Sequence, residues 1–367
     1  MMQTEEIKYT GGGQSSSSSK QHAIRINGQA VNGTRKQLKD MLPLNTPYVA
    51  TVFPVYACNF RCAYCVHSKK KKERSFVAEN EFISFDIYRK FADGLKEFPE
   101  QVRILHFTGL GESTLHPDLA RMVRYAKEIG ATQTVDIVTN GYLLEKVGND
   151  LLDAGIDCIR ISLQGLSSEE YFRMSGVHID FEAFCDTITR LYKRRGHTRI
   201  YIKIMDVSLK DRSEDEFYSR FENISDQIAI EHLCPFAESI DYNDTFDMAE
   251  FVYTMQGNRV PNAQVCPQPF YSMLVNPDGD IIPCCTIERP VAVGNITDKS
   301  PVEIWNSRAF TDFRRLQIQK HKNENPVCRT CMSYKFNMFP EDYLDDEAEI
   351  ILQRMDREKQ ERSTNRG

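Results

Sequence analysis

The sequence lacks three features, each of which would assign it to a broad class of protein. It contains no run of eighteen apolar residues, so it offers no candidate membrane-spanning helix. Its first residues, MMQTEEIKYT, lack the apolar stretch of a secretory signal, which predicts a soluble, cytoplasmic protein without a membrane partner. It also lacks an excess of positive charge, because 46 basic residues face 52 acidic ones and the net charge is -6. Nucleic acid is therefore not an expected partner.

Strand-like and helix-like segments alternate through the first two thirds of the chain. Six apolar segments rich in β-branched residues predict strands at 48–56, 102–108, 134–139, 157–163, 199–207 and 227–233. Amphipathic stretches between them predict helices, for example over 116–130, where Gly130 follows the last apolar position. This βα repeat predicts a parallel sheet whose chemistry lies at the carboxyl ends of the strands.

Changes in composition divide the chain into five predicted segments. They are a flexible, serine- and glycine-rich leader (1–46), a βα domain (47–237), an acidic and aromatic connector (238–265), a cysteine-bearing domain (266–340) and a charged helix or tail (341–367). Within the cysteine-bearing domain, 270–285 predicts a hairpin with its turn at Pro277 to Gly279, and short helices follow. The predicted fold is α/β, with a second, small α+β domain.

Eleven cysteines in a reducing compartment favour metal binding or catalysis over disulfide bonds. Cys158, Cys185 and Cys234 stand alone in apolar or helical surroundings, which predicts that they are buried as small hydrophobic residues. The other eight cysteines fall into local groups, and their spacing indicates their use.

The first group, Cys58, Cys62 and Cys65, places three thiols directly after the first predicted strand. Structural zinc sites and closed iron–sulfur clusters use four protein ligands. Three ligands leave one metal position free to bind a small molecule, as catalytic zinc does. The spacing therefore favours an iron–sulfur cluster with one open iron, and a zinc or purely structural site is the alternative.

The segment CNFRCAYC resembles the CxxxCxxC signature of the radical S-adenosylmethionine (radical SAM) superfamily. The segments LHFTGLGES, VTNGYLL and IRISLQG resemble further motifs of that family, in the expected order. The resemblance implies a partial (β/α)6 barrel and a [4Fe–4S] cluster whose open iron is chelated by SAM. It also implies reductive cleavage of SAM to a 5′-deoxyadenosyl radical, which abstracts hydrogen from a substrate, and an electron donor such as flavodoxin or ferredoxin.

The same resemblance implies a set of contacts with SAM. These are Gly111 and Glu112 for the methionine amino group, Ser162 and Gln164 for the ribose, Tyr64 for adenine and Arg173 for the carboxylate. Leu110 stands where many members have glycine. Each contact has a structural alternative: a GxGE segment is more often a tight turn, and Arg173 could be a surface ion-pair residue.

A second set of cysteines, Cys266, Cys284, Cys328 and Cys331, could converge on one closed site. Cys285 neighbours Cys284, and adjacent strand residues point to opposite faces, so only one of the two is expected to be a ligand. Spacing alone fits a zinc site equally well. The region resembles the SPASM domain of radical SAM enzymes in its shortened "twitch" form, including the GNI and EIWNS segments. This implies an auxiliary [4Fe–4S] cluster held by the four cysteines.

The two resemblances together imply a radical SAM oxidoreductase. A closed auxiliary cluster can carry one electron, so dehydrogenation or epimerisation of a small polar substrate, a carbohydrate or aminocyclitol, is expected. Two alternatives stay open: a maturase that modifies a peptide or protein, and a non-catalytic iron–sulfur or zinc binding module. No general base is assigned, because structural roles are expected for the candidates His106, His116 and Glu231.

Overall fold

The structure, a computed structural model, describes residues 23–26, 35–74, 80–246, 251–285 and 287–364. The glycine- and serine-rich stretch at 11–20, which was expected to be flexible, lies outside the described residues. Among the residues described, no helix combines the length and the apolar character needed to cross a membrane.

One ten-stranded sheet forms the centre of the fold. Its strands are β1 (Ile24–Arg25), β2 (Val49–Val52), β3 (Val102–Phe107), β4 (Thr132–Thr139), β5 (Cys158–Leu163), β6 (Arg199–Met205), β7 (Gln227–Glu231), β8 (Ser272–Val275), β9 (Asp280–Ile282) and β10 (Gly294–Asn295). They follow the order β1-β7-β6-β5-β4-β3-β2-β8-β9-β10. In this order, each neighbouring pair of strands from β1 along to β8 is parallel. The pairs β8–β9 and β9–β10 are antiparallel. This confirms the predicted α/β class with a mainly parallel sheet, and the described sheet is open at both edges.

Helices connect the parallel strands and pack on one face of the sheet. The helices of the described residues are α1 (Leu38–Met41), α2 (Phe85–Leu95), α3 (Leu119–Ile129), α4 (Leu144–Asp153), α5 (Ser168–Ser175), α6 (Phe181–Arg194), α7 (Glu214–Phe221), α8 (Tyr242–Phe246), α9 (Gln268–Tyr271), α10 (Pro301–Trp305), α11 (Arg308–Ile318), α12 (Pro326–Thr330), α13 (Ser333–Phe336) and α14 (Ala348–Thr364). The apolar stripe of α3, including Met122 and Val123, is fully buried against this face. Gly130 ends α3 in the left-handed conformation, as its position predicts.

The cysteine-bearing region extends the same sheet and does not form a separate layer. The predicted hairpin is confirmed, because β8 and β9 pair around a turn closed by Gly279, whose φ is +83°. β8 then pairs in parallel with β2, from Val49 opposite Ser272 to Val52 opposite Val275. Without β8, one side of β2 would leave its backbone groups unpaired inside the core, which is costly.

Part of the predicted leader is built into the fold. Ile24 and Arg25 pair with β7, and Leu38 is buried in a cluster with Ile351 of α14. The structure therefore differs from the expected flexible leader within 23–26 and 35–46. Composition alone missed these contacts because the partners come from the far end of the βα region and from the C-terminal helix.

Candidate functional site

The first cysteine group lies in the loop after β2, at the carboxyl edge of the parallel strands. Cys62 is buried, and Cys58 and Cys65 are half-buried. The Cys65 backbone N–H donates to the Cys62 carbonyl across 2.9 Å, which folds this part of the loop into a tight turn. Burial raises the pKa of each thiol, to about 12 for Cys58. A bound metal centre would be needed to hold them as thiolates at neutral pH.

The C-terminal end of α5 anchors this cysteine loop. The backbone N–H groups of Arg61 and Ala63 donate to the carbonyls of Ser175 and Met174, both across 2.8 Å. Phe60, which is 1% exposed, adds an apolar anchor between the cysteines. The loop is therefore held by backbone hydrogen bonds and by core packing.

Gly111 lies where the loop after β3 touches the cysteine loop. A Cβ atom at Gly111 would stand 2.1 Å from the carbonyl oxygen of Val55 and 2.7 Å from that of Ala57. The next backbone N–H, of Glu112, donates to the Ala57 carbonyl across 2.9 Å. In this structure the close approach that requires glycine is made to the cysteine loop itself.

The Glu112 carboxylate is buried and bridges the carboxyl ends of β3 and β4. Its Oε1 accepts hydrogen bonds from the Thr114 N–H (3.0 Å) and the Thr139 hydroxyl (2.6 Å), and its Oε2 accepts one from the Asn140 N–H (2.7 Å). Burial raises the pKa of Glu112, and these hydrogen bonds oppose the shift. Both oxygens thus have protein partners, so the structure shows a positioning role, while the contact with the methionine amino group stays a prediction.

Three other predicted contact residues lie together beside the cysteine loop. The Tyr64 hydroxyl donates to Gln164 Oε1 across 2.7 Å, and Gln164 Nε2 donates to the Ser162 carbonyl across 3.2 Å. Arg173 does not join them: its side chain is 61% exposed and lies 3.5 Å from the Asp211 carboxylate. The structural alternative, a surface ion pair, describes Arg173 as it stands.

A cavity in the C-terminal region brings the second cysteine set together. Cys266, Cys284, Cys328 and Cys331 all line it, and its wall is completed largely by apolar side chains such as Phe313 and Val327. Burial raises the pKa of Cys328 to about 11 and that of Cys266 further. Cys285 is exposed and does not line the cavity. The geometry therefore favours Cys284 over Cys285 as the fourth thiol.

Two family models match the chain in the two regions that hold these cysteines. The model of the radical SAM superfamily matches residues 52–219, and that of SPASM, an iron–sulfur cluster-binding domain, matches residues 266–332. The chain belongs to the radical SAM superfamily. It carries a C-terminal SPASM domain, so the family resemblance of both regions is confirmed.

Curated relatives of this radical SAM chain include proteins of two kinds. The tungsten-containing aldehyde ferredoxin oxidoreductase cofactor-modifying protein of Pyrococcus furiosus is 24% identical over 298 residues, which cover 70% of this chain and 80% of that protein. A GTP 3′,8-cyclase of Chlorobaculum tepidum is 30% identical over 160 residues, which cover 44% of each chain. The chain thus spans less than half the length of this cyclase.

Solved radical SAM structures share the fold. BtrN in complex with AdoMet and 2-DOIA gives a TM-score of 0.53 at 19% identity, covering 81% of this chain and 97% of that one. SuiB of Streptococcus suis bound to S-adenosylmethionine gives 0.56 at 16% identity, covering 85% of this chain and 79% of that one. AnSMEcpe with bound AdoMet gives 0.54 at 15% identity, covering 88% and 96%. At these identities the likeness shows a common fold.

Membership in the superfamily, with a SPASM domain, implies a SAM-binding [4Fe–4S] cluster and an auxiliary cluster, and the residues present fit both. Thiolates are soft donors that suit iron–sulfur clusters. In the described part of the chain, no three His, Cys, Asp or Glu side chains converge closely enough to hold a single metal ion. A zinc ion would draw its thiolates to about 2.3 Å from one point, whereas a four-iron cluster binds each thiolate through a different iron and spaces them further apart.

Sequence reasoning did not predict a row of polar side chains on the face of the sheet opposite the helices. We call this face of the sheet the inner face. Strand register places these residues on it: His106, Asp136, Arg160, Ser162, Lys203 and Glu231. Asp136 accepts hydrogen bonds from His106 Nδ1 and from Arg160 (Nη2, 2.6 Å). Burial raises the pKa of Asp136, but His106 and Arg160 outweigh it and hold the pKa well below its usual range. Lys203 Nζ donates to Glu231 across 2.7 Å.

The sequence does contain a signal for the inner face. Strands buried on both sides of a parallel sheet usually form continuous apolar runs. In CIRISL and RIYIKIM, charged or hydroxyl residues instead occupy alternate positions. That alternation indicates one face that is not filled by apolar packing. No comparable signal marks Gln317 and Lys322, which line the cavity of the second cysteine set without lying in a motif.

Proposed function

We propose that this chain is a radical SAM oxidoreductase that acts on a small polar molecule, a carbohydrate or aminocyclitol, in a dehydrogenation or epimerisation. When bound, the first cluster and SAM supply a 5′-deoxyadenosyl radical that removes a hydrogen atom from the substrate. The observation that carries the substrate class is the charged inner face of the sheet. An external donor such as flavodoxin or ferredoxin would supply the electron.

The proposed ligands and contacts are those that the sequence motifs indicate. Cys58, Cys62 and Cys65 hold the first cluster, Cys266, Cys284, Cys328 and Cys331 hold the auxiliary cluster, and Tyr64, Gly111, Glu112, Ser162, Gln164 and Arg173 are the SAM contacts. Besides the proposed contact with SAM, Glu112 and Gly111 have a structural role, because they fix the loops at the ends of β3 and β4. Arg173 would have to leave its exposed partner Asp211 to reach the SAM carboxylate.

The inner face supports a substrate rich in hydroxyl or amino groups. His106 and Arg160 share Asp136, and Lys203 shares Glu231, so hydrogen-bonding and charged groups extend across five neighbouring strands, β3 to β7. Such a surface can exchange hydrogen bonds with a polyol or an aminocyclitol. An apolar side chain placed against it would remove water from these charged groups without offering them hydrogen bonds, which is costly.

A second cavity supports a relay through the auxiliary cluster. Its lining includes Pro235 and Phe236, from the segment after β7, and Cys331. Cys331 also lines the cavity of the second cysteine set. A molecule held beside the carboxyl end of β7 would therefore lie close to a thiol of the auxiliary cluster, where one electron could pass.

The test is an anaerobic assay of the reconstituted protein with dithionite and SAM. Polyols, aminocyclitols and sugars deuterated at carbon are compared with peptides, and deuterium is measured in the 5′-deoxyadenosine released. We expect transfer from a small polar substrate. Transfer only from peptides would replace this proposal with the maturase alternative, and no 5′-deoxyadenosine from protein with full iron content would favour the binding module.

The variant Lys203→Met tests the inner face directly, because it removes one charge and leaves Glu231 without its ion-pair partner. We expect it to reduce deuterium transfer from the substrate while SAM cleavage without substrate continues. Lys193→Met is the matched control, since Lys193 is exposed on α6. Equal transfer by both variants would contradict the role of the inner face.

A further inference from the structure

The cavity of the second cysteine set contains polar groups besides its four thiols. Gln317, Lys322 and Tyr334 line it together with Phe313 and Val327. They come from separate elements, since Gln317 lies on α11, Lys322 begins a short 3-10 helix and Tyr334 lies on α13. Polar groups in a largely apolar cavity are costly unless they interact with something there.

Gln317 directs its amide at one of the thiols. Its side chain is buried, with 1% of the residue exposed, and Nε2 donates to Cys328 Sγ across 3.5 Å. Within the described residues, the other end of the amide, Oε1, is buried without a hydrogen-bond partner. Apolar packing therefore does not explain why an amide occupies this position, whereas donation to sulfur does.

Lys322 brings a positive charge to the same cavity. Its Nζ donates to the Tyr334 hydroxyl across 2.9 Å and lies 4.5 Å from the centre of the Tyr334 ring. The Tyr334 hydroxyl in turn donates to the Ala263 carbonyl across 2.8 Å. Lys322 lines the same cavity as Cys266, Cys328 and Cys331, so its charge lies on the same side of the protein as their thiols. Because Lys322 is half-buried and the cavity is largely apolar, water screens this charge less than it would at the protein surface.

We propose that Gln317 and Lys322 raise the reduction potential of the auxiliary cluster. One-electron reduction adds a negative charge to the cluster and its thiolates, and both an N–H donor to sulfur and a nearby ammonium stabilise that more negative form. The two residues touch no substrate and act through the cluster. The inference rests on the proposed ligand set of four cysteines, and it explains how the cluster could accept an electron during turnover.

The experiment measures the midpoint potential of the auxiliary cluster by an electron paramagnetic resonance titration with dithionite. The background is the full-length chain carrying Cys58→Ala, Cys62→Ala and Cys65→Ala, in which only the auxiliary cluster gives a signal. Lys322→Gln removes the charge and keeps a hydrogen-bonding group, and Gln317→Leu removes the donor at similar volume. Lys322→Arg retains the charge. Lys299→Gln is the matched control, because it replaces a lysine with glutamine, as Lys322→Gln does, at an exposed site of the same domain.

We expect Lys322→Gln and Gln317→Leu each to lower the midpoint potential, with a larger decrease when they are combined. Lys322→Arg and Lys299→Gln should keep the parental value, and all variants should keep the parental iron content. Parental potentials in both test variants would overturn the inference. Loss of iron from either test variant would also overturn it, because a residue that only tunes the potential leaves the ligands in place. Absence of iron from the background protein would instead refute the ligand set, and no result depends on the substrate.

Discussion

The Tyr64 hydroxyl donates a hydrogen bond to Gln164 Oε1 across 2.7 Å, joining the cysteine loop after β2 to the carboxyl end of β5. Gln164 is 3% exposed, so water cannot readily replace the hydroxyl. Tyr64 lies between Cys62 and Cys65 in the sequence. This single contact therefore fixes the part of the loop that carries two proposed cluster ligands.

Tyr64→Phe should lower the free energy of unfolding by about 1–3 kcal/mol, because it leaves the buried Gln164 oxygen without a donor. Chemical denaturation measures this change, and SAM titration of the reconstituted protein should show weaker binding. Tyr125→Phe is the control: its hydroxyl bonds Asp93 in an exposed position, so a change within about 0.5 kcal/mol is expected. Equal destabilisation by both variants would refute the structural role of Tyr64.

Gly111→Ala should displace the cysteine loop, because a Cβ atom there would stand 2.1 Å from the Val55 carbonyl oxygen. We expect iron content after reconstitution to fall and SAM cleavage to fall with it. Gly148→Ala in α4 is the control, since the closest atom to its Cβ would be the flexible end of the Leu191 side chain, at 2.9 Å, and alanine favours helix. Full iron content in the Gly111 variant would show that the loops separate more easily than the structure implies.

Much of the fold is readable from the sequence because the signals are local. Strands β2 to β7 overlap the six predicted segments, and the three isolated cysteines, Cys158, Cys185 and Cys234, are buried as expected. The parallel pairing of β8 with β2 was not predicted, since it joins residues more than two hundred positions apart and carries no turn signal. The pairing of β1 with β7 was not predicted for the same reason.

In the candidate site, too, features with local signals were predicted from the sequence and features that depend on distant residues were not. Short spacing marks Cys58, Cys62 and Cys65, and motif order marks Glu112. The partners that Glu112 finds in Thr139 and Asn140 depend on the neighbouring strand, and so do the ion pairs of the inner face. Cross-strand partners require the strand register, which one strand's sequence does not specify.

Cys284→Ala and Cys285→Ala form a matched pair of adjacent substitutions. Cys284 lines the cavity of the second cysteine set, and Cys285 is exposed. Cys284→Ala should therefore remove about four of the roughly eight irons expected for two four-iron clusters, whereas Cys285→Ala should keep them. Iron and sulfide analysis of the reconstituted proteins measures this. The opposite result would exchange the two cysteines in the proposed ligand set.

The pair His232 and Asp206, at the carboxyl ends of β7 and β6, should make stability depend on pH near neutrality. His232 Nδ1 lies 2.9 Å from Asp206 Oδ2, and the hydrogen bond to Asp206 raises the pKa of His232 above its ordinary value of 6.5. A histidine with a raised pKa stabilises the fold fully below its unfolded pKa. That contribution is lost as the pH rises through the folded pKa.

His232→Asn replaces the titrating ring with a neutral hydrogen-bonding group and should remove this pH dependence. We expect the native protein to be more stable than the variant at pH 6, and the difference to shrink towards pH 8. Because the His232 side chain is 38% exposed, the effect should not exceed about 1 kcal/mol. Thermal unfolding at both pH values measures it, and a difference that grows with pH would show that His232 is neutral beside Asp206.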